Sequence, residues 1–433
     1  MSSLRLLIAG DLHLGRASSR VTAQSDSDVT ARAALDRLVD AAIRENADLL
    51  CLTGDVADDS NRFWEALGPL TRGITRLAEE GIVTLAVSGN HDHDVLPRLA
   101  AQLDSQAFRL LGREGNWERY THEVNGSPVL HVDGWSFPQE HVRLSPVDTY
   151  EPRHDAAVPT VAMVHGDLDV ATSPYAPLER QQLLSLPILG WLLGHIHAPM
   201  CEEQYDRPFL VYPGSPQALD PGEPGEHGAV LAELQHGRFS PLRRIPLSTV
   251  RYDALDVDLS GVEDESAFAR RVREDIEDCA SSAAEEGNGV LKHLSLRLTL
   301  TGRTAIAGDL RTEARGLEND FETTVDGVHV AVDRVRLDVL PEIDLEEHAQ
   351  TNTPPGMIAR LLLDIEHNES TTDMAVETQR LLHTARQRIE DQRRNSVYAS
   401  ISDGEREPSE EEVCRVVREQ AETLLTELLG QSV

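Results

Sequence analysis

Short apolar runs alternate with longer amphipathic stretches along the first half of the chain. Apolar runs of four to eight residues are typical of strands that are buried on both faces, and they occur at residues 4–9, 48–53, 82–88, 160–164 and 188–193. Between the first three runs, apolar residues recur at helical spacing, at Leu35, Leu38, Val39, Ala42 and Ile43 and again at Phe63, Leu67, Leu70, Ile74 and Leu77. The order strand, helix, strand, helix, strand predicts an α/β fold.

Residues 293–300 show a different pattern, with leucine at every second position and polar residues between. This alternation predicts a half-buried strand. Strand-like stretches at 253–259 and 328–340, and helical patterns at about 264–280 and 307–318, surround it. They indicate a small α/β domain after the first one.

The rest of the chain is predicted to be helical, after a linker at 348–356 and a second break at 402–408. Ser409 and Glu412 fit a capping box, which opens a helix that stops at Gly430. Its apolar stripe either packs on its own domain or docks onto a partner helix; the stripe consists of Val413, Val417, Ala421, Leu424 and Leu428. We therefore expect three domains, at 1–249, 250–347 and 348–433.

Clusters of Asp, His and Asn follow the apolar runs of the first domain. Such clusters lie where ligands bind in α/β sheets, beyond the carboxyl ends of strands. They are Asp11-Leu12-His13, Gly54-Asp55-Val56-Ala57-Asp58, Gly89-Asn90-His91-Asp92, His165-Gly166-Asp167 and Gly194-His195-Ile196-His197. Each one alone occurs often by chance, but five in this arrangement indicate one dinuclear metal site. Oxygen and imidazole ligands without thiolate suit Mn²⁺, Mg²⁺ or Fe²⁺, and the expected chemistry is hydrolysis at phosphorus.

The order of these clusters resembles the calcineurin-like metallophosphoesterases. The resemblance implies that Asp11, His13, Asp55 and His197 hold one metal, and that Asp55, Asn90, His165 and His195 hold the other, with Asp55 as the bridge. In that family a water activated by the two ions attacks phosphorus in line. The resemblance also implies that His91 is a catalytic, non-ligand histidine that protonates the leaving oxygen or stabilises the transition state. Asp92 either orients His91 or makes a structural turn contact.

Within that superfamily, Asp11-Leu12-His13-Leu14-Gly15 and Gly89-Asn90-His91-Asp92 resemble the SbcD-like nuclease subunits of DNA double-strand-break repair complexes. The resemblance implies a metallophosphoesterase β-sandwich flanked by helices, then a small α/β cap that contacts DNA, then a helical region that binds an SbcC-like coiled-coil ATPase. It also implies two divalent ions, Mn²⁺ before Mg²⁺ or Fe²⁺, and 3′–5′ exonuclease and single-strand or hairpin endonuclease activity. A homodimer is a further expectation.

Two residues near the clusters are candidates for substrate binding. Arg16 follows the first cluster, and Asp58 takes a position where some members of the superfamily carry a histidine near the phosphate. Because aspartate also occurs there in bacterial relatives, we do not interpret Asp58 as inactivating.

Charge argues against a nucleic-acid partner when it is considered alone. The chain has 74 acidic and 40 basic residues, a formal net charge of −34, and Lys292 as its only lysine. Phosphate contacts need Arg or Lys. The acidic excess indicates either a solvated surface from a GC-rich genome or adaptation to a high-salt cytoplasm.

Other features of the sequence exclude several classes of protein. A chain of 433 residues is expected to form more than one domain. It has no signal-peptide pattern and no long apolar span, so we expect a cytoplasmic protein without a membrane partner, associated with the nucleoid when bound to DNA. No metal or redox role is assigned to its scattered cysteines, Cys51, Cys201, Cys279 and Cys414.

Two other functions remain open from the sequence. The same metal site could act on a small phosphodiester, a nucleotide or a phosphoprotein, although such an enzyme does not need a cap and a helical tail. A catalytically silent scaffold is the third hypothesis, and the presence of all seven expected ligands argues against it.

Overall fold

The computed structural model describes residues 3–21, 27–58, 62–152, 158–203, 207–367, 375–393 and 408–430. Its strands are β1 (Leu4–Ala9), β2 (Leu49–Leu52), β3 (Val83–Ala86), β4 (Phe108–Leu110), β5 (Glu118–Val124), β6 (Ser127–Trp135), β7 (Thr160–His165), β8 (Gly190–Gly194), β9 (Met200–Glu202), β10 (Phe209–Tyr212), β11 (Gly228–Gln235), β12 (Arg238–Phe239), β13 (Arg243–Pro246), β14 (Val250–Asp258), β15 (His293–Thr304), β16 (Glu322–Val325) and β17 (Val328–Pro341). Its α-helices are α1 (Ala31–Arg44), α2 (Phe63–Glu79), α3 (Leu96–Ala100), α4 (Arg180–Ser185), α5 (Glu265–Glu286), α6 (Leu310–Asp320), α7 (Leu345–Ala349), α8 (Pro354–His367), α9 (Ala375–Arg393) and α10 (Glu410–Gly430).

The described chain divides into two compact units. The first comprises Met1–Val257, Ala269–Leu300 and Arg311–Leu337, and the second comprises Asp258–Phe268, Thr301–Leu310 and Asp338–Val433. The boundaries expected from the sequence, near residues 249 and 347, stay a prediction.

Two large sheets pack face to face in the first unit. One has the order β12-β11-β1-β2-β3-β4, with β13 also paired to β11, and the other has the order β5-β6-β7-β8-β10-β9. Strands β1 to β4 are parallel, whereas β11 runs antiparallel to β1. Leu6 and Leu85 from the first sheet share a buried core with Val132, Met163 and Leu192 from the second. The result is a β-sandwich.

Helices cover the outer faces of this sandwich. Leu38 of α1 and Leu70 of α2 pack with Leu7 and Leu50 in one core, and Leu183 of α4 lies in another on the opposite side. Helix α1 begins where the Thr30 side chain accepts a hydrogen bond from the Ala33 amide at 3.1 Å, which satisfies an otherwise unpaired donor. The predicted fold class, a mixed α/β fold with a β-sandwich flanked by helices, is confirmed.

A four-stranded sheet, in the order β14-β15-β17-β16, follows in the chain. The leucines of β15 are buried at every second position, at Leu294, Leu296, Leu298 and Leu300. The alternating pattern of the sequence therefore predicted this strand correctly.

The second unit contains the C-terminal helices. Val413 and Val417 of α10 pack with Ile365 of α8, and Ala421 packs with Leu362. The first half of the apolar stripe is thus used inside the unit. One of the two hydrogen bonds of the predicted capping box is seen, from the Glu412 amide to Ser409 Oγ at 3.1 Å.

The linker predicted at 348–356 is wrong in its second half, because α8 begins at Pro354. Proline is favoured at the first helical position, where its missing N–H costs nothing. Residues 402–407 of the second predicted break lie outside the described residues. Within the described part of the chain, no helix is both long and apolar enough to span a bilayer.

Candidate metal centre

The polar clusters meet at one end of the sandwich. Asp11 follows β1, Asp55 follows β2, Asn90 follows β3, and His165 is the last residue of β7. Parallel strands have their carboxyl ends at the same edge of a sheet, so residues that directly follow such strands lie close together in the fold. Asp11, His165 and Asp55 are no more than 1% exposed. Buried carboxylates of this kind need a compensating charge.

The backbone of the first two clusters is interlocked. The Asp11 amide donates to the Gly54 carbonyl at 3.0 Å, and the His13 amide donates to the Asp55 carbonyl at 2.9 Å. Asp11, His13 and Asp55 have φ angles of 51°, 47° and 48°. Non-glycine residues rarely adopt this left-handed conformation, which is concentrated at functional sites. Backbone strain is therefore located at the residues that were expected to bind metal.

Two glycines of the clusters are required by close approach to His165. A Cβ atom on Gly54 would lie 2.5 Å from His165 Nδ1, and one on Gly194 would lie 2.7 Å from the same atom. Gly54 also has a φ of 107°. Larger residues at either position would displace the imidazole, which explains why glycine precedes Asp55 and His195.

The first candidate ion position lies between two histidines. The Nε2 atoms of His13 and His197 are 3.1 Å apart, and Asp11 completes a group whose ligand atoms lie within 4.8 Å of one another. The opposite ring nitrogens are held by carboxylates: His13 Nδ1 lies 3.1 Å from Asp58 Oδ1, and His197 Nδ1 lies 2.6 Å from Glu223 Oε1. With Nδ1–H donating to a carboxylate, each ring directs its Nε2 lone pair to the same point.

The second candidate position is formed by His165, Asp55 and Asn90. His165 Nδ1–H donates to the Thr53 carbonyl at 3.0 Å, and its Nε2 lies 3.1 Å from Asn90 Oδ1 and 3.3 Å from Asp55 Oδ2. The same Asp55 oxygen is 3.9 Å from His13 Nε2. Asp55 Oδ2 thus faces both positions, as a bridging carboxylate must, and Asp11 belongs to a ligand group at each.

His195 has a different environment from the other predicted ligands. Its Nε2 lies 3.3 Å from Asp167 Oδ1, and its backbone amide donates to Asp11 Oδ1 at 3.1 Å. Among the described residues it is in none of the ligand groups. The Asp167 contact leaves Nδ1 as the nitrogen that would bind an ion, and the role of His195 as a ligand stays a prediction.

The electrostatics of the site fit positively charged occupants. Burial alone would lower the pKa of His165, but Asp55 and Asp11 raise it to about 9. Burial opposes ionisation of Asp55, yet the charge and hydrogen bond of His165 keep its pKa well below the usual range. A proton on His165 thus balances the carboxylates, and a divalent cation would take its place. The convergent, thiolate-free donors fit two hard or borderline divalent ions.

His91 lies at the exposed side of this centre. Its Nδ1–H donates to the Asp58 carbonyl at 3.0 Å, its backbone amide donates to Asp55 Oδ1 at 3.0 Å, and its ring meets that of His13 edge-on with centroids 5.1 Å apart. These contacts fix the ring and leave Nε2 available. His91, His13 and Asp58 also form a third group whose potential ligand atoms lie within 4.8 Å of one another, so the non-ligand role of His91 stays a prediction.

Asp92 makes the turn contact rather than orienting His91. Its buried carboxylate accepts hydrogen bonds from the backbone amides of Val56 and Gly89, each at 2.7 Å. Burial, followed by the charge of Asp55, raises the Asp92 pKa to about 7. Asp92 thus ties the second cluster to the third.

The two candidate substrate-binding residues are close to each other. Arg16 Nε lies 3.8 Å from Asp58 Oδ1, and the Arg16 side chain is 38% exposed. The carboxylate of Asp58 also holds His13, while its carbonyl holds His91. These contacts make Asp58 a positioning residue for two histidines, and its contact with substrate stays a prediction.

Sequence reasoning missed Glu223, which holds His197, and gave no role to Asp167. Glu223 lies in a loop 26 residues beyond His197, and the Leu219 amide donates to its Oε2 at 2.8 Å. The only signal in the sequence is a stretch rich in Gly, Pro and Glu, which is typical of any exposed loop.

Comparisons with known proteins agree with this geometry. Residues 4–199 match the family model of the calcineurin-like phosphoesterases, and residues 252–340 match the middle domain of the metallophosphoesterase YhaO. The chain is 27% identical over 270 residues to an uncharacterized metallophosphoesterase YhaO from Bacillus subtilis, with 62% of this chain and 64% of that protein covered.

Archaeal proteins form a second group of relatives. The DNA double-strand break repair protein Mre11 of Haloferax volcanii is 28% identical, with 66% of this chain and 62% of that protein covered. The Mre11 protein of Methanopyrus kandleri is 24% identical, with 62% of each chain covered. The chain thus matches less than two thirds of the length of each relative.

A solved structure is also similar, though weakly. A dimetal phosphatase from Danio rerio matches with a TM-score of 0.34 and 12% identity, over 54% of this chain and 93% of that one. A likeness of this size does not bear on the substrate.

Proposed function

Starting from a calcineurin-like phosphoesterase domain at residues 4–199, we propose that this chain is an SbcD-like, divalent-metal-dependent DNA nuclease of a double-strand-break repair system. It cleaves phosphodiester bonds as a 3′–5′ exonuclease and as an endonuclease on single-stranded or hairpin DNA. Mn²⁺ is its expected cofactor, with Mg²⁺ or Fe²⁺ as alternatives.

One observation carries the hydrolytic part of this proposal. Asp55 Oδ2 faces both candidate ion positions, 3.9 Å from His13 Nε2 and 3.3 Å from His165 Nε2, and Asp11 belongs to a ligand group at each position. A phosphate can approach this pair from the exposed side, where His91 lies. A two-metal hydrolase needs this combination of a bridging carboxylate, terminal ligands and an open side.

Each residue has a definite task in this scheme. Asp11, His13, Asp55 and His197 would hold one ion, and Asp55, Asn90, His165 and His195 would hold the other. When bound, the two ions activate water and neutralise the charge that develops on the phosphate oxygens. His91, with its Nδ1–H held by the Asp58 carbonyl, presents Nε2 to the leaving oxygen and donates the proton it needs.

Two observations support DNA as the substrate. Two relatives, at 24% and 28% identity, bear the name of a DNA double-strand break repair protein. The chain also continues far beyond residue 199, the end of the phosphoesterase match, through a further sheet and a group of helices. An enzyme for small substrates does not need these additions, whereas a polymer substrate and partner subunits do.

Partners follow from the same proposal. A coiled-coil ATPase of the SbcC type would bind the helical C-terminal region, and the chain would act at the nucleoid. A homodimer is compatible with this arrangement. These proposals rest on the order of the domains in the resembled family.

The charge favours a second candidate function, hydrolysis of a small phosphodiester or nucleotide. A net charge of −34 opposes binding of a polyanion, and one relative, from Bacillus subtilis, is named only as an uncharacterized metallophosphoesterase. A small substrate with one phosphate would meet less repulsion.

Cleavage of end-labelled duplex DNA separates the two functions. The purified protein is incubated with Mn²⁺ from low to molar KCl, beside His91→Asn and beside bis(p-nitrophenyl) phosphate as a generic diester. Mn²⁺-dependent shortening of DNA that His91→Asn abolishes is the expected result. Hydrolysis of the generic diester without any DNA cleavage would instead establish the small-substrate function.

A further inference from the structure

A groove of about 770 Å³ lies beside the metal centre, within the first unit. Its wall is formed by the loop after β1, by the start of α1 and by the first half of α2, and it includes Leu14, Arg16, Arg32, Trp64 and Arg72. Leu14 immediately follows His13, and Arg16 reaches Asp58, which holds His13. The groove therefore borders the loop that carries His13, although none of the candidate ligands is in its lining.

The charge in this groove differs from that of the whole chain. Three acidic residues also line it, but Asp28 pairs with Lys292, and Glu65 pairs with Arg62 at 2.8 Å. Arg16 pairs with Asp58 at 3.8 Å, which leaves Asp36 against Arg32 and Arg72 of the lining, in a chain with a net charge of −34. In the described part of the chain, neither Arg32 nor Arg72 has an ion-pair partner, so both guanidinium groups are available to an anion.

An exposed tryptophan stands at the same groove. The Trp64 side chain is 80% exposed, although α2 begins one residue earlier and its neighbour Phe63 is half-buried under Arg98. Phe63 and Trp64 meet at nearly a right angle, with centroids 5.0 Å apart, and the high exposure of Trp64 leaves most of its indole open to solvent. An exposed indole beside arginines suits a ligand in which planar aromatic rings alternate with negatively charged groups.

We propose that this groove binds a single nucleic-acid strand and leads it to the metal centre. Arg16, Arg32 and Arg72 contact successive phosphates, and Trp64 stacks on a base. Proteins that bind single strands without sequence preference combine these two kinds of contact. The inference rests on the proposed nuclease function and adds to it the path of the strand and the residues that hold it.

Binding is measured in the full-length His91→Asn protein, in which the strand is not cut. Fluorescence anisotropy of a labelled oligo-dT gives the dissociation constant, and quenching of tryptophan emission reports stacking. Trp64→Ala is expected to weaken binding about five- to tenfold and to remove most of the quenching, whereas Trp64→Phe keeps most of the affinity. Arg72→Ala is expected to reduce the slope of log K against log salt by about 0.7.

Two matched substitutions control for general surface effects. Leu144 is 78% exposed and lies outside the groove lining, and Arg44 is on the same helix as Arg32, with a side chain 61% exposed. Leu144→Ala and Arg44→Ala are expected to leave the dissociation constant and the salt slope unchanged. Equal losses in these controls would overturn the groove assignment.

Other outcomes separate this inference from the proposed function. Unchanged binding by Trp64→Ala and Arg72→Ala, while the unaltered chain still cleaves DNA, would overturn the groove alone. Failure of the unaltered chain to bind or cleave DNA, with the generic diester still hydrolysed, would overturn both. A change of sedimentation mass in Trp64→Ala without a change in affinity would assign Trp64 to a contact between copies of the chain and would overturn its stacking role.

Discussion

Glu223 contacts the side of the His197 ring that faces away from His13: Glu223 Oε1 lies 2.6 Å from His197 Nδ1, while Nε2 of the same ring lies near His13. Burial opposes the charge on Glu223, but the hydrogen bond and the charge of His197 keep its pKa below the usual value. A carboxylate at this position fixes the tautomer and raises the basicity of a metal-binding imidazole.

Glu223→Gln should therefore weaken binding of the first metal ion. Glutamine keeps the shape and the contact with the Leu219 amide, but it removes the negative charge. We expect the affinity for Mn²⁺ at one of two positions to fall at least about tenfold, as measured by calorimetric titration of the chelator-treated protein.

Glu226→Gln is the matched control for this substitution. Glu226 lies in the same loop and pairs with Arg244 at 3.2 Å. Its substitution should leave Mn²⁺ affinity unchanged. Identical affinities for Glu223→Gln and the unaltered protein would show that Glu223 does not support the metal centre.

Asp92 is expected to contribute more to stability than its neighbour Asp94. Asp92→Ala would leave the buried amides of Val56 and Gly89 without their acceptor, at a cost of about 3 kcal/mol in the free energy of unfolding. Asp94 is exposed, and Asp94→Ala should change the free energy of unfolding by less than about 0.5 kcal/mol. Urea denaturation followed by circular dichroism measures both, and equal midpoints would contradict the role given to Asp92.

Cys51 should be unreactive in the folded protein. Burial raises the pKa of its thiol to about 12, and the residue is fully buried in the sandwich core. At pH 8 the group is thus protonated and inaccessible, and thiolate is the reactive form. Iodoacetamide labelling with peptide mass spectrometry should modify the exposed Cys201 first and Cys51 only after unfolding. Rapid native labelling of Cys51 would contradict the buried position of β2.

Much of the first unit could be predicted because its strands are parallel and buried. Continuous apolar runs predicted β1 and β7 almost to the residue, and each polar cluster lies where such a strand ends. Strand β5 gave no such signal, whereas β11 contains an apolar run, Ala229-Val230-Leu231-Ala232, that does not indicate which strand it pairs with. β5 is mostly half-exposed and polar, and the pairing of β11 with β1 joins residues more than 200 positions apart. Local patterns carry no information about such distant pairing.

The candidate site shows the same division between local and distant information. The expected ligands sit in short motifs, and seven residues could be named from them. Glu223 and Asp167 act on histidines through contacts that only the folded loops create. Asp92 was left between two roles, because the sequence shows its neighbour His91 but not the amides that it reaches.

Adjacent leucines of α10 provide the last prediction, because they lie in opposite environments. Leu425 is fully buried in a cluster with Leu362 and Ala421, whereas Leu424, which the sequence pattern placed on the apolar stripe, is 48% exposed. Leu425→Ala removes buried methyl groups and should cost the second unit about 2–4 kcal/mol, whereas Leu424→Ala should cost less than about 1 kcal/mol. Hydrogen exchange of the α10 amides measures this local stability. If Leu424→Ala accelerated exchange more than Leu425→Ala, the helix would pack through the face that the sequence pattern had indicated.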